Sequence, residues 1–152
     1  MGRRVPTRLG VLILLTVVGV PLAGSWWRVE RSRAATEAES FAALSAAGSP
    51  VELREVVGQL GVVLDVRGGG WVAVRYRDSH AAPGWSSAVA RDSGGGWWVS
   101  REHFCGQFAI HRELRGRGEE GAADLRAVEE AGSLEAARAV LAGIGFRPVS
   151  PP

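Results

Sequence analysis

Lysine and asparagine are absent from this chain, and cysteine, methionine and tyrosine occur once each. A single cysteine excludes an internal disulfide framework and any thiolate-rich metal cluster. All 18 basic residues are therefore arginine, set against 16 acids for a net charge of +2. The charges are interspersed, and no concentrated basic face of the kind that tracks a phosphate backbone can be built from them. Nucleic acid is not an expected partner. Arginine without lysine, together with 21 glycines and abundant alanine and valine, points to a high-GC bacterial genome. Arginine abundance by itself then carries little functional weight.

What is present suits a globular protein. Apolar residues make up 46% of the 152-residue chain and charged ones 22%, which is ordinary for a folded domain. The length allows one domain. The roughly 110 residues beyond the N-terminal segment can bury a single core without disulfides or metals.

The N-terminus reads as an address. Arg3, Arg4 and Arg8 precede Leu9–Gly24, which is uncharged and almost wholly apolar. A basic n-region followed by an apolar run is the pattern of an export signal. As a helix the run spans about 24 Å, short of a ~30 Å hydrocarbon core until Trp26 and Trp27 are added at the interface. Two outcomes follow: an uncleaved signal-anchor with residues 9–27 in the membrane, or a signal peptide cleaved after small residues such as Ala23 and Ser25. The first gives a single-pass cell-membrane protein with its domain outside the cytoplasm, and the second a secreted or periplasmic one. No cysteine lies near the end of the run, which excludes lipid attachment there.

Beyond it, residues 28–48 are rich in helix formers, with Phe41 and Leu44 as large apolar residues, and read as a helical stalk or linker. Ser49-Pro50-Val51-Glu52 is a helix start, with Ser49 as N-cap and Glu52 completing a capping box. Leu53, Val56, Val57 and Leu60 follow at helical spacing, and Gly61 stops the helix. Val62–Arg67, Trp71–Arg77, Trp85–Arg91 and Trp97–Glu102 are strand-length segments. Val72, Val74 and Tyr76 alternate with Trp71, Ala73, Arg75 and Arg77. Arg77-Asp78-Ser79 and Arg91-Asp92-Ser93 are turn initiators, and Gly94–Gly96 can supply positive φ for a hairpin. Gly106–Glu113 is a further strand candidate. Ala122–Glu130 and Ser133–Gly143 are helix candidates. The expected fold is α+β: a small antiparallel β-meander of three to five strands packed by two or more helices, behind the N-terminal hydrophobic helix. The expected division is 1–27 signal or anchor, 28–48 stalk, 49–147 domain and 148–152 disordered tail.

Two clusters are candidate sites. In a meander, alternate turns fall at opposite ends, so the end of the fourth strand segment meets the loop that carries His80. His103 and Cys105, two residues apart, share a face there. His80, His103 and Cys105 together could hold a transition metal such as zinc, or activate a thiolate. The competing reading is an inert buried cysteine beside surface histidines. The second cluster is a surface of Trp85, Trp97, Trp98, Arg75, Arg77 and Arg101, able to stack on a glycan or meet an envelope protein. Trp97 and Trp98 are adjacent, so they face opposite sides of their strand. Asp92-Ser93-Gly94-Gly95 resembles the nucleophile loop of trypsin-like serine proteases. His80 belongs to the opposite sheet end, so no catalytic dyad forms. The leading expectation is a non-enzymatic binding or envelope-structural module. The alternative is a small metal- or thiol-dependent site.

Overall fold

Alternating apolar residues in the middle of the chain set the strands, and glycine-rich turns at Gly68–Gly70 and Gly94–Gly96 reverse it. The computed structural model describes residues 7–47, 49–57, 61–78, 85–103 and 119–152. In chain order the elements are α1 (Thr7–Ala46), α2 (Pro50–Val57), β1 (Gly61–Asp65), β2 (Trp71–Asp78), β3 (Trp85–Asp92), β4 (Trp97–His103), α3 (Glu119–Glu129), α4 (Leu134–Gly143) and β5 (Arg147–Val149). The five strands form one antiparallel sheet in the order β1-β2-β3-β4-β5. The α+β meander expected from the alternation is the observed fold.

Three ends of the short helices have a local cause. The Glu52 N–H donates to Ser49 Oγ at 3.3 Å, so the N-cap read from sequence forms, and Ser133 Oγ caps α4 by accepting from the Ala136 N–H at 3.1 Å. At the other end of α4, Gly145 N–H donates to the Ala142 carbonyl and Phe146 N–H to that of Leu141, with Gly145 at φ 100°. This is a Schellman turn, which satisfies the last carbonyls and redirects the chain. It delivers Arg147–Val149 alongside β4, opposite Val99, Trp98 and Trp97. The segment that reads as the start of a frayed tail is therefore in part an edge strand.

The sheet is covered on both faces. On one, Val72, Val74, Tyr76, Ala88, Ala90 and Trp98 pack with Leu125 and Val128 of α3 and Ala137 and Leu141 of α4, together with Phe146. On the other, Ala73 and Val89 pack under Phe41 and Leu44 of α1 and Leu53 and Val57 of α2. Val56, expected on the apolar stripe of α2, is partly exposed.

Residues 28–46, which read as a stalk, belong to α1, and the second half of that helix is part of the core. Its buried positions are Arg33, Thr36, Glu37, Ser40, Phe41 and Leu44, with Ala47 just beyond. They recur at the three- and four-residue spacing of one helical face. The face is weakly hydrophobic because its partners on the sheet are arginines. Arg75 donates to the Glu39 carbonyl at 3.0 Å and Glu39 Oε1 at 3.1 Å. Arg91 donates to the carbonyls of Leu44 and Ala47 at 2.6 and 2.8 Å. Arg101 holds Glu37 through two bonds, 2.8 and 2.9 Å. One arginine from each central strand thus fastens α1. Arg91 also complements the negative end of the helix. The side chains of Leu9–Ala23 lie outside the described residues. Among the described residues, no helix is long and apolar enough to cross a membrane.

Candidate binding cleft

A short edge strand beside a long helix leaves a gap. β5 is three residues long, while α1 continues across the sheet past it. Ala34 and Ala38 are small, so the helix surface is shallow where it overhangs this edge. The result is an open cleft of about 680 Å³, within the range of small-molecule sites. Ala34, Ala38 and Phe41 form its helical wall, with Val99 and Arg101 of β4 opposite. Gly145, Arg147 and Val149 close the outer side, and the terminal residues Ser150 and Pro152 reach one rim.

The cleft is mixed in character, with apolar walls interrupted by Glu37, Arg101 and Arg147. Glu37 is its acidic lining residue, and Arg101 occupies that carboxylate through both oxygens. The Arg101 guanidinium is pushed above its ordinary pKa, chiefly by the Glu37 hydrogen bonds, so it is always charged. Arg147 makes no ion pair among the described residues, and its side chain is exposed. Among the described residues the site therefore offers a cation without an ion-pair partner beside apolar side chains. It suits an amphipathic or anionic ligand, and its side chains offer no activated nucleophile.

A second polar centre lies on the opposite face, at the β3–β4 turn. The buried Asp92 carboxylate accepts from Gly94 N and Gly96 N at 2.9 Å, from the Trp98 indole N–H at 3.0 Å, and from Arg138 Nε and a terminal nitrogen at 2.8 Å each. Burial would raise its pKa. The hydrogen bonds from Arg138, Trp98 and Gly96 outweigh that and lower it to about 2. Its oxygens are saturated with donors, so it acts as a structural pin and not as a base. Beside it, Ser93 Oγ accepts from the Trp71 N–H at 3.1 Å, which ties the turn to β2. The protease-like fragment is turn chemistry. Of the three glycines, Gly95 adopts positive φ (82°), whereas a Cβ on Gly96 would come within 2.2 Å of Asp92 Oδ2. Gly96 is needed for clearance.

Few of the site residues read from sequence meet at a surface. His80 and Cys105 lie outside the described residues. The backbone of His103 is described and pairs with Trp85 in the β3–β4 register. Among the described residues, no group of three His, Cys, Asp or Glu side chains is placed to hold a metal ion. The side chains of Trp85 and Arg77 also lie outside the described residues. Arg75 is taken up by Glu39. Trp97 packs beneath Phe41, ring centroids 5.2 Å apart, with Arg91 on its face. Trp98 is buried on the other face, and its indole is committed to Asp92. Of the four whose side chains are described, Arg101 alone both faces the cleft and stays half-exposed. Glu37, Arg147 and Arg138 carried no local sequence signal, because their partners are distant in the chain. No protein-family model matches the chain, and neither a curated protein nor a solved structure matches it.

Proposed function

We propose that this chain is an exported, membrane-anchored bacterial protein whose domain outside the cytoplasm is a non-enzymatic binding or envelope-structural module. One observation carries the reading: α1 runs without a break from Thr7 to Ala46. The apolar sequence Leu9–Gly24 and the part of the helix fastened to the sheet are thus one element. Between them Trp26 and Trp27 are 60% and 59% exposed. Arg31 stacks on Trp27 at 4.2 Å. Solvent-facing tryptophans beside arginines suit the headgroup region of a bilayer. Such a helix would carry the domain on a stiff rod, with the cleft as the seat of a ligand or partner.

Fractionation of the full chain in a bacterial host tests this. The chain should stay in the membrane through carbonate extraction, and a C-terminal alkaline phosphatase fusion should be active. Leu14→Arg with Val18→Arg should release it. A wild-type chain recovered in the soluble cytosolic fraction would sink the reading.

A second reading is a metal- or thiol-dependent site at His80, His103 and Cys105. It is favoured by the pairing of His103 with Trp85, which brings the end of β4 level with the start of β3. Its test is the zinc and copper content of the purified protein together with native labelling of Cys105. No metal, and a thiol that reacts only after denaturation, would exclude it.

A further inference from the structure

We propose that the cleft between α1 and β4–β5 seats one anionic phospholipid of the membrane that α1 enters. This rests on the anchoring reading above. Two observations carry it: the continuity of one helix face and the charge around the cleft.

Trp27, Arg31, Ala34, Ala38 and Phe41 are spaced four, three, four and three residues apart, which places them in one stripe along α1. The wall of the cleft is therefore the upper part of a surface whose lower part is Trp27, in the zone proposed for the membrane interface. From Trp27 to Ala34 is about 10 Å along the axis, two helical turns. A lipid displaced upward by that distance keeps its chains near the bilayer while its headgroup enters the cleft.

The charges select the headgroup. Arg28 and Arg31 are exposed on α1 below the cleft, and Arg147 is exposed at its outer wall. The cleft's lining acid, Glu37, is paired with Arg101, and Glu30 below it is paired with Arg33 and Arg101. A phosphodiester without a compensating ammonium, as in phosphatidylglycerol, matches this excess of cation. A zwitterionic headgroup brings a positive charge into the same space. Ala34, the lining residue nearest Trp27, offers apolar surface to the glycerol, while Ala38, Phe41, Val99 and Val149, farther up the helix, close the cleft above the headgroup.

The full chain, reconstituted in nanodiscs of phosphatidylcholine with a minor fraction of phosphatidylglycerol, is released into mild detergent and weighed by native mass spectrometry. One phosphatidylglycerol should remain bound per chain, enriched over phosphatidylcholine. Arg147→Ser should weaken retention about fivefold, as expected for one arginine at a membrane surface. Ala38→Trp, which fills the cleft without changing charge, should abolish it, and melting curves of both variants should match the parent. Equal retention of the two lipids, or retention unaffected by both variants, overturns the proposal. So does displacement by glycerol phosphate at equal concentration, which would make the ligand a soluble anion. A dihexanoyl phosphatidylglycerol titration of the full chain separates this proposal from the anchoring one. A chain that fails to enter membranes yet binds the short lipid in an Arg147-dependent way refutes the anchor and keeps the cleft. A chain anchored in membranes that binds no lipid does the reverse.

Discussion

Replacing Asp92 by asparagine should cost the domain about 3 kcal/mol. The carboxylate has no exposed side-chain surface and takes five donors. A carboxyl held at about 2 instead of 3.8 contributes roughly 2.5 kcal/mol at neutral pH. Asparagine keeps one acceptor oxygen but turns its amide hydrogens toward donors. Arg138 is partly exposed and recovers some hydration, which places the loss at the low end for a broken buried pair. The melting temperature should fall by roughly 10–20 °C for a domain of this size. The pH dependence identifies the cause. Because the folded pKa is depressed, the carboxylate's contribution is complete above the unfolded value near 4. It is lost as pH falls through about 2, and about half is gone by pH 3. Urea unfolding of parent and Asp92→Asn, followed by tryptophan fluorescence at pH 7, 5 and 3, should show a gap that narrows at pH 3. Equal stability at pH 7, or a gap unchanged at pH 3, would refute the assignment of the ion pair as the pin of this turn.

The remaining expectations concern the attachment of α1 and the tight turn. Leu44→Ala removes a fully buried side chain between α1 and the sheet. It should cost about 3 kcal/mol in urea denaturation and speed limited proteolysis of the helix. Arg91→Gln loses the hydrogen bonds of a cation to two terminal helix carbonyls and its place over Trp71 and Trp97. A loss of roughly 1–3 kcal/mol is expected, with a change in tryptophan emission in the folded state. Gly96→Ala drives a methyl group into the Asp92 carboxylate and should destabilise by roughly 1–3 kcal/mol in thermal melts, although its backbone φ suits alanine.

Much of the fold was legible because its causes are local. The alternation around Val72, Val74 and Tyr76, the cap at Ser49, and the Asp-Ser-Gly turn at Asp92 each depend on residues within a few positions of one another. The opposite facing of Trp97 and Trp98 follows from strand geometry and is observed. The packing role of residues 33–47 was hidden for a physical reason. A helix face of Arg33, Thr36, Glu37 and Ser40 looks solvated until arginines on three strands meet it. The same distance effect concealed the candidate cleft. Glu37 and Arg101 are bonded across 64 positions, and Arg138 reaches Asp92 across 46. Arg147 belongs to a segment with no strand-like pattern of its own, and the Schellman turn at Gly145 carries it into the sheet.

The amino-acid sequence alone determined the segments of β1 to β4, the helices that follow Ser49 and Ser133, and the apolar N-terminal run, since periodicity, capping and turn chemistry act over a single turn or hairpin. Tertiary structure decided which arginines are structural and which have no ion-pair partner among the described residues. Arg75, Arg91, Arg101 and Arg138 find carboxylates or helix carbonyls only when the chain closes on itself, and Arg147 is left over at the edge of a cleft. Identical side chains thus acquire opposite roles, because a guanidinium's function is set by the acceptors within about 3 Å of it and not by its neighbours in the chain.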